Sequence, residues 1–359
     1  MFQYSTRSRF VGLILALLLF GLLITSACSR LGETETGPPN FIILFADDLG
    51  YGDLGVYGHP TIHTPNLDRM AGEGMRFTQF YSAAPVCTPS RAGLLTGRLP
   101  IRSGMCGGRG VLFPDSDGGL PTDEITIARA LKTRNYATAC IGKWHLGHLE
   151  PYLPTSHGFD YYFGIPYSND MSPVGRKPGS RASRYPPLPL MENNQTIEEE
   201  PDQKQLTRRY TEKAIAFIEE NRGRPFFLYL PYTFPHVPLY ASERFEGTSL
   251  RGLYGDVVEE IDWSVGEILS ALRRLELERK TLVFFTSDNG PWLVKKDHGG
   301  SAGLLYEGKH TTWEGGVREP GIAWWPGTVR AGSVSRAQAG TLDLFPTLVT
   351  LAGGEIPSD

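Results

Sequence analysis

The sequence predicts an α/β fold in which buried strands alternate with amphipathic helices. Continuous apolar runs at 40–46, 225–230 and 281–286 end in turn residues, which is typical of strands that are buried on both faces of a sheet. Between them, apolar positions spaced three and four apart mark helices that end near Asn221 and beyond Leu272. Because the two kinds of element alternate, we expect helices to cover both faces of one sheet.

The remaining elements follow from local signals. Thr64 before Pro65 is typical of a helix start, and Gly74 marks the end of that helix. Residues 171–205 are rich in Pro, Arg and Glu and lack periodicity, so we expect a long loop there. Further strands are expected at 76–83, 137–142 and 321–325, and further helices at 89–97, 125–133 and 343–352.

Length and composition indicate a loop-rich globular enzyme. The 359 residues suffice for one large domain or two modest ones. With 40% hydrophobic residues, 42 glycines and 27 prolines, the chain is neither disordered nor fibrous in character. The net charge of −4 argues against the basic patch of a nucleic-acid-binding protein, so no nucleic-acid partner is expected.

The amino terminus predicts export from the cytoplasm. Two arginines precede an apolar run at 10–24, which small residues and Cys28 follow. This order is typical of a secretory signal, which we place at 1–27, with a polar tether at 28–39 before the catalytic domain. The residues before Cys28 resemble a lipoprotein box except at Thr25, so a lipid anchor on Cys28 and simple cleavage before it both stay open. Either way we expect a periplasmic or extracellular protein.

Acidic side chains follow two of the predicted strands where each one ends. Asp47 and Asp48 come directly after the first strand, and Asp288 and Asn289 follow a later one. A helix cap or a solvated turn would explain one aspartate better than two, because neighbouring carboxylates repel unless a cation balances them. Carboxylate and amide oxygens are the ligands of Ca²⁺ or Mg²⁺ rather than of zinc.

Cys87 lies at or just before the start of a predicted helix. Pro89 suits the first turn of that helix, whose unpaired N–H groups attract anions. Arg91 lies one turn further along and can direct its guanidinium back toward Cys87. Three interpretations of this cysteine compete: a buried structural thiol, half of a disulfide, and a thiolate nucleophile of low pKa.

Four stretches together resemble one family. The sequence C-T-P-S-R at 87–91, with its extension to Arg98, resembles the C-x-P-S-R signature of the type I sulfatases. The stretches D-D-L-G-Y-G-D at 47–53, G-K-W-H-L-G at 142–147, and 308–320 resemble further regions of the same family.

This resemblance implies an alkaline-phosphatase-like fold, in which a large, mixed and mostly parallel sheet is sandwiched between helices. It covers the chain from about Asn40 to the end, so we place the catalytic domain at 40–359. Family members usually continue into a smaller C-terminal domain, of which almost nothing is visible here, and we therefore expect the domain to be truncated. The loop at 171–205 would then lie over the site and select substrates.

The resemblance also implies a nucleophile, a metal and a set of roles. An external formylglycine-generating enzyme would oxidise Cys87 to formylglycine, whose hydrated aldehyde is the nucleophile. The ligands of Ca²⁺ would be Asp47, Asp48, Cys87, Asp288 and Asn289. The catalytic residues would be Cys87, Arg91, Lys143, His145, His236 and Lys309. The residues that bind the substrate would be Lys143, Ser168, His236 and Lys309.

Taken without the family, several of these residues have ordinary interpretations. Lys143 and His145 are two positions apart, so they point the same way if the preceding strand continues. His236 lies just beyond a strand and between two prolines, which would hold it on a stiff turn. Lys309 by itself would be interpreted as a surface lysine.

The remaining cysteines leave one question open. If Cys28 carries lipid and Cys87 is modified, Cys106 and Cys140 are left. They would form a disulfide in an oxidising compartment or stay as two free thiols.

As a whole, the sequence predicts a sulfatase that hydrolyses a sulfated small molecule or polysaccharide, through an aryl or a carbohydrate sulfate ester. One alternative is a phosphodiesterase or phosphonate hydrolase of the same fold. The other is a sulfated-glycan-binding protein that is catalytically silent, either because Cys87 stays unmodified or because catalysis requires the C-terminal part that we expect to be missing.

Overall fold

One sheet of eleven strands runs through residues 37–357, the part of the chain that the computed structural model describes. The first strand is a continuous apolar segment because it has neighbours on both sides and helices on both faces. The strands are β1 (Asn40–Ala46), β2 (Met75–Tyr81), β3 (Ala137–Ile141), β4 (Tyr161–Gly164), β5 (Pro189–Glu192), β6 (Gln195–Glu199), β7 (Phe226–Pro231), β8 (Thr281–Ser287), β9 (Arg318–Trp324), β10 (Ser333–Ser335) and β11 (Ala339–Gly340).

The predicted signal at 1–27 and the predicted lipid anchor at Cys28 lie outside the described residues, as does most of the tether at 28–39. The described residues from Pro39 onward belong to one unit. No helix among residues 37–357 is both long enough and apolar enough to cross a membrane.

The strand order is β10-β2-β9-β8-β1-β7-β3-β4-β5-β6, with β11 also beside β2. The centre is parallel, since β8, β1, β7, β3 and β4 pair in one direction. β10 and β11 also run parallel to β2, whereas β9 is antiparallel to both of its neighbours and β4, β5 and β6 pair in antiparallel fashion. The mixed, mostly parallel sheet confirms the predicted fold class.

Helices lie against both faces of this sheet. The α-helices are α1 (Pro65–Glu73), α2 (Cys87–Thr96), α3 (Ile127–Lys132), α4 (Leu206–Glu220), α5 (Leu253–Arg274), α6 (Glu314–Val317) and α7 (Leu344–Leu351). Short 3₁₀ turns occur at Gly55–Tyr57, Glu150–Tyr152, Pro154–His157, Ala182–Arg184, Gln203–Gln205, Glu278–Lys280, Leu293–His298 and Thr341–Asp343.

The alternation of side chains along β1 divides the core into two layers. Ile42 and Leu44 belong to the layer that contains the buried faces of α1, α4 and α5. Phe41, Ile43 and Phe45 belong to the layer that contains α2, α3 and α7. Since full burial of one such side chain contributes about 1.5–3 kcal/mol, this strand fixes the sheet between its two helical layers.

The long loop predicted at 171–205 is wrong in part, because it contains the hairpin formed by β5 and β6. The two strands are joined at Asn193 and Asn194, and Asn193 takes a positive φ of 52°. Two features explain why the sequence pattern did not predict the hairpin. The pairing shifts between Leu190 and Met191, and β6 lies largely exposed at the sheet edge, so neither strand alternates regularly.

The cysteines settle the open question in favour of free thiols. Cys106 is exposed and Cys140 is buried within β3, and both are free. The disulfide alternative is wrong because one sulfur lies inside the sheet and the other at the surface.

His157 makes the stability of the fold depend on pH. Its ring is buried, and the ring centroid lies 5.7 Å from that of Trp144. Neither nitrogen of the histidine ring has a hydrogen-bond partner among the described residues. Burial, with a contribution from Arg129, lowers the pKa of His157 to about 4. The neutral ring therefore supports folding fully above the unfolded pKa of about 6.5, and this support is lost as the pH falls toward 4.

We expect the unfolding free energy of the wild-type protein to fall by about 3 kcal/mol between about pH 7 and pH 4 because of this histidine. The variant His157→Phe keeps an aromatic ring beside Trp144 but cannot bind a proton. Urea unfolding of both proteins across this range measures the difference, and parallel pH dependence of the two would contradict the expectation.

Candidate active site

The site lies where the parallel strands at the centre of the sheet end. Ala46 and Ser287, the last residues of β1 and β8, are partners in register. Asp47 and Asp288 therefore leave the sheet side by side. The N–H of Asp288 donates to the carbonyl of Ala46 over 3.1 Å, and the N–H of Asp48 donates to Oδ1 of Asp288 over 3.1 Å. The shared sheet edge thus joins two pairs of oxygen-bearing side chains, Asp47-Asp48 and Asp288-Asn289, that are 241 positions apart in the chain.

Four buried side chains converge at this edge. Ligand atoms of Asp47, Asp48, Cys87 and Asp288 all lie within 4.8 Å of one another. Asp48 has a φ of 66°, an uncommon backbone state for a residue other than glycine. It is held there because its N–H donates to Asp288 and its carboxylate accepts from the amide of Asn289. The sequence prediction that these groups lie together is consistent with this geometry.

Arg91 holds the buried carboxylates together. Its side chain donates from Nε and Nη2 to Oδ2 of Asp288 over 3.1 and 2.8 Å, and Nη2 lies 3.4 Å from Oδ1 of Asp47. Nη1 donates to the carbonyl of Lys143 over 2.8 Å. The guanidinium is fully buried, so the planar fork satisfies three acceptors at once.

Two lysines complete the charge balance. Nζ of Lys143 contacts Oδ2 of Asp47 and donates to Oγ of Ser168 over 3.2 Å. Nζ of Lys309 donates to both oxygens of Asp48 over 2.6 and 2.8 Å. Both lysines are buried, so the view of Lys309 as a surface lysine, which its sequence alone suggests, is wrong. The segment 308–320 instead places the ammonium group of Lys309 in the site.

The surroundings shift the pKa values of Asp47 and Asp288 in opposite directions. Burial alone would raise the pKa of Asp47, but Lys143 and Arg91 outweigh burial and hold it well below its usual value. Burial and then the charge of Asp47 raise the pKa of Asp288 to about 7, although Arg91 opposes them. A cation bound at these oxygens would favour the charged form of both carboxylates.

Cys87 begins α2 and points into the middle of this cluster. Its Sγ lies 3.4 Å from Oδ1 of Asp47, 3.5 Å from Nζ of Lys309 and 3.9 Å from Nζ of Lys143. Burial raises the pKa of the thiol well above its usual value, despite the lowering effect of the two ammonium groups. This helix runs from Cys87 to Thr96 and is followed by Gly97, so the prediction that Cys87 lies at or just before a helix start is confirmed.

His145 reaches the site by a route that the sequence does not predict. β3 ends at Ile141, and His145 has a φ of 60°, so Lys143 and His145 do not continue a strand. Nε2 of His145 donates to the carbonyl of Leu112 over 2.9 Å, while Nδ1 is buried without a partner among the described residues. Burial, followed by Lys143, lowers the pKa of His145 well below its usual value, so the ring is neutral with a vacant acceptor.

His236 and Ser168 lie on the opposite side of the cluster. Nδ1 of His236 donates to the carbonyl of Val237 over 2.6 Å and lies 3.5 Å from Oγ of Ser168. Nε2 of His236 lies 3.7 Å from Oδ2 of Asp48. Burial and the charge of Lys309 lower the pKa of His236. The peptide bonds that precede the two flanking prolines are both cis.

Two residues near the site escaped the sequence reasoning. The ring of Trp292 lies 5.6 Å from the ring of His236 and 4.7 Å from Nζ of Lys309, as measured from ring centroids. The hydroxyl of Thr88 donates to the carbonyl of His145 over 3.0 Å and accepts from the N–H of Leu112. Trp292 has no motif of its own, but its position three residues after Asn289 was a signal that could have identified it.

The donor set fits a hard cation. Oδ1 of Asn289 is buried and has no hydrogen-bond partner among residues 37–357, although Nδ2 of the same amide donates to Asp48 and to the carbonyl of Gly290. A buried carbonyl oxygen without a donor is costly unless a cation or water satisfies it. With the carboxylates beside it, this oxygen completes the kind of ligand set that Ca²⁺ prefers.

Removal of the Arg91 guanidinium should strongly destabilise the protein. In Arg91→Met, the buried carboxylates of Asp47 and Asp288 lose their shared cation, which typically costs about 3–5 kcal/mol. Arg91→Lys keeps the charge but not the fork, so we expect an intermediate loss. Urea unfolding in the presence of a chelator measures both variants. A midpoint of Arg91→Met equal to that of the wild type would show that the network does not stabilise the fold.

The comparisons with known proteins agree with this geometry. The family model described as Sulfatase matches residues 39–354. N-acetylgalactosamine-6-sulfatase of Mus musculus is 48% identical over 355 residues, covering 94% of this chain and 67% of the relative. Arylsulfatase A of Bos taurus is 46% identical over 341 residues, covering 91% of this chain and 66% of the relative. The chain thus spans about two thirds of the length of these curated relatives.

A solved structure supports the same assignment. The crystal structure of Ps i-CgsB in complex with k-i-k-neocarrahexaose is similar with a TM-score of 0.80 and 34% identity, covering 89% of this chain and 73% of that one. Nearly the whole described sheet and the site therefore fall within a region shared with these proteins. On this evidence, the chain belongs to the sulfatase family.

Proposed function

We propose that this protein is a sulfuric ester hydrolase that cleaves an aryl or carbohydrate sulfate ester. The observation that carries the proposal is the position of Cys87. This residue begins a helix, and its sulfur lies between two buried ammonium groups and a buried carboxylate. Such a pocket attracts a small anion, and membership of the sulfatase family supports sulfate as that anion.

The state of the thiol supports its conversion to formylglycine. A thiol whose pKa is raised by burial is a poor nucleophile, because the thiolate is the reactive form. The low-pKa thiolate considered from the sequence is therefore disfavoured. A hydrated aldehyde at this position supplies one hydroxyl to attack sulfur and a second through which sulfate can leave. The partner that makes it would be an external formylglycine-generating enzyme.

Ca²⁺ is the metal that we propose for the oxygen cluster. It would be held by Asp47, Asp48, Asp288 and Asn289, together with the modified side chain at position 87, and it would supply positive charge to a sulfate oxygen. The vacant carbonyl oxygen of Asn289 supports this choice.

The cationic side chains would hold the sulfate and balance the charge that develops on it. Lys143 and Lys309 approach Sγ of Cys87 within 3.9 and 3.5 Å, so their ammonium groups border the position that sulfur of the substrate would occupy. Arg91 would act indirectly, since its guanidinium binds the carboxylates of Asp47 and Asp288. Oγ of Ser168 accepts from Lys143, so its hydroxyl proton would be left to donate to a sulfate oxygen beside it.

The two histidines would move protons on opposite sides. His145 is neutral and has a vacant Nδ1, which suits a base that takes the proton from the second hydroxyl. His236 would protonate the leaving alcohol. Its lowered pKa leaves it neutral in the free protein, but a bound sulfate ester brings a negative charge that raises the pKa of a neighbouring histidine. We therefore propose that His236 gains its proton as substrate binds.

A saccharide is the substrate class that the similar proteins favour. The names of the curated relatives refer to a sulfated amino sugar and to aryl sulfates, and the similar crystal structure holds a neocarrahexaose. We propose a sulfated saccharide as the natural substrate and a periplasmic or extracellular location, as the predicted signal suggests. Cys28 stays the proposed site of a lipid anchor.

Turnover of an aryl sulfate and of the matching aryl phosphate tests the reaction class. We expect the sulfate ester to be hydrolysed with the larger kcat/KM, because the family relatives are sulfatases. A preference for the phosphate ester would favour the phosphodiesterase alternative. Binding of sulfated glycans without turnover of either ester would favour the catalytically silent alternative.

Modification of Cys87 should be required for hydrolysis. When the protein is produced with a formylglycine-generating enzyme, mass spectrometry should find the peptide that contains Cys87 lighter than its thiol form. Cys87→Ala should remove aryl sulfate hydrolysis without lowering the unfolding midpoint, whereas the exposed Cys106→Ala should retain both. An active protein whose Cys87 is an unchanged thiol would refute the proposed nucleophile.

Calcium should stabilise the folded protein through the oxygen of Asn289. At free Ca²⁺ of about 100 times the dissociation constant, the gain is about 2.7 kcal/mol and appears as a higher Tm. Asn289→Leu, which removes the oxygen, should reduce this calcium-dependent shift, while Asn289→Asp should keep it. Equal shifts for the wild type and Asn289→Leu would exclude this residue as a ligand.

A further inference from the structure

A side cavity of about 670 Å³ opens next to the candidate site. We use the name side cavity for the space bordered by parts of four segments: 169–176, 200–203, 237–240 and 295–298. Its volume is within the range of about 300–1,000 Å³ that is usual for ligand pockets. None of the side chains proposed to act on sulfate borders it.

The side cavity adjoins the leaving-group side of the site. Val237 borders it and directly follows His236, which we propose as the acid for the leaving alcohol. Asn169 borders it and directly follows Ser168. On a third side, Nζ of Lys295 lies 4.0 Å from the centroid of the Trp292 ring, which in turn lies 5.6 Å from the ring of His236. A substrate that extends from the sulfated carbon past His236 would therefore enter the side cavity.

The lining offers both donors and acceptors to a polar ligand. Asn169 is buried and ties two of the segments together, because its Nδ2 donates to Oε1 of Gln203 and to the carbonyl of Pro238 over 2.9 and 3.0 Å. Lys295 makes no ion pair with a carboxylate among residues 37–357, so its ammonium group can donate to a ligand. The carboxylates of Asp170, Glu200 and Asp202 supply acceptors to the same lining.

This mixture suits hydroxyl groups better than an apolar leaving group. A hydroxyl both donates and accepts, so it can bind carboxylates and ammonium groups in turn. An aryl or lipid group in the same space would displace water from the charged side chains of the lining without replacing its hydrogen bonds, which is costly. Val237, Pro238 and Tyr240 add apolar surface for the C–H faces of a sugar ring.

The charges of the lining favour a neutral ligand. The lining contains three carboxylates, those of Asp170, Glu200 and Asp202, and two permanently cationic side chains, Arg176 and Lys295, together with His298. Glu200 accepts from neutral donors, the hydroxyl of Ser172 and the N–H of Leu188, so these two contacts do not offset the charge of its carboxylate. A uronic acid or a second sulfate would meet net negative charge here, and like charges oppose binding.

We propose that the side cavity binds an uncharged sugar unit next to the sulfated one, so that the natural substrate is a saccharide of at least two units. This inference rests on the proposed function, because it takes the sulfate site as its starting point. Binding energy from the second unit is then gained away from the reacting bond.

Kinetics with matched substrates test the inference. We compare an aryl sulfate with two sulfated disaccharides that differ only in the neighbouring unit, which is a neutral hexose in one and its uronic acid in the other. We expect the neutral disaccharide to have a KM at least about tenfold lower than that of the acidic one, which corresponds to about 1.4 kcal/mol. Equal KM values for the two disaccharides would overturn the inference.

A charge variant separates the side cavity from the sulfate site. Asp202 is exposed at its rim, so Asp202→Lys should narrow the difference between the two disaccharides several-fold and leave aryl sulfate kcat/KM unchanged. The matched control, Asp123→Lys, changes an exposed acid that does not border the side cavity and should leave all three substrates unaffected. A loss of aryl sulfate turnover in Asp202→Lys would indicate a structural role and overturn the inference.

Calorimetry with the desulfated neutral disaccharide tests the side cavity without any turnover. We expect binding to the wild type and weaker binding to a Tyr240→Ala variant. If aryl sulfates are not hydrolysed but this disaccharide still binds, the proposed function fails and the side cavity stands. If aryl sulfates are hydrolysed and neither disaccharide improves on them in kcat/KM nor binds, the side cavity proposal fails and the proposed function stands.

Discussion

The fully buried guanidinium of Arg91 is the interaction on which the site depends. It bridges the carboxylates of Asp47 and Asp288, which follow the neighbouring strands β1 and β8. Its bond to the carbonyl of Lys143 also connects it to the segment that follows a third strand, β3. Without a cation at this point, two acidic groups could not lie side by side in the interior, because burial and mutual repulsion both disfavour their charged forms. The remaining side chains of the site are arranged around carboxylates whose positions this one group fixes.

The parallel centre of the sheet supplies the rigid frame for that arrangement. β1, β8, β7 and β3 all end at the same edge, so short loops from distant parts of the chain deliver acids, lysines and histidines into a common space. The helix that begins at Cys87 enters from the layer opposite α4 and α5 and places its sulfur among them. There Asp288, Asp47 and Asp48 each pair with a different buried cation, namely Arg91, Lys143 and Lys309.

Much of the fold could be predicted from the sequence, because long apolar runs and helical periods are strong signals. The site residues could be nominated from motifs, but their contacts depend on which strands are neighbours. Lys309 illustrates this: nothing local distinguishes it from a surface lysine, and only tertiary structure brings its ammonium group to Asp48. The hairpin of β5 and β6 and the turn at His145 were missed because a register shift and a left-handed residue break the local patterns.

Cys87 is enclosed by segments that are far apart in the sequence. Only 2% of this residue is accessible, and its cover includes Lys309, 222 positions further along. The enclosure closes only after strands separated by most of the sequence have joined, which is a slow kind of contact to form. If Cys87 is modified as proposed, the modifying enzyme would have to reach this sulfur during synthesis or early folding, so modification and folding would compete for the same interval of time.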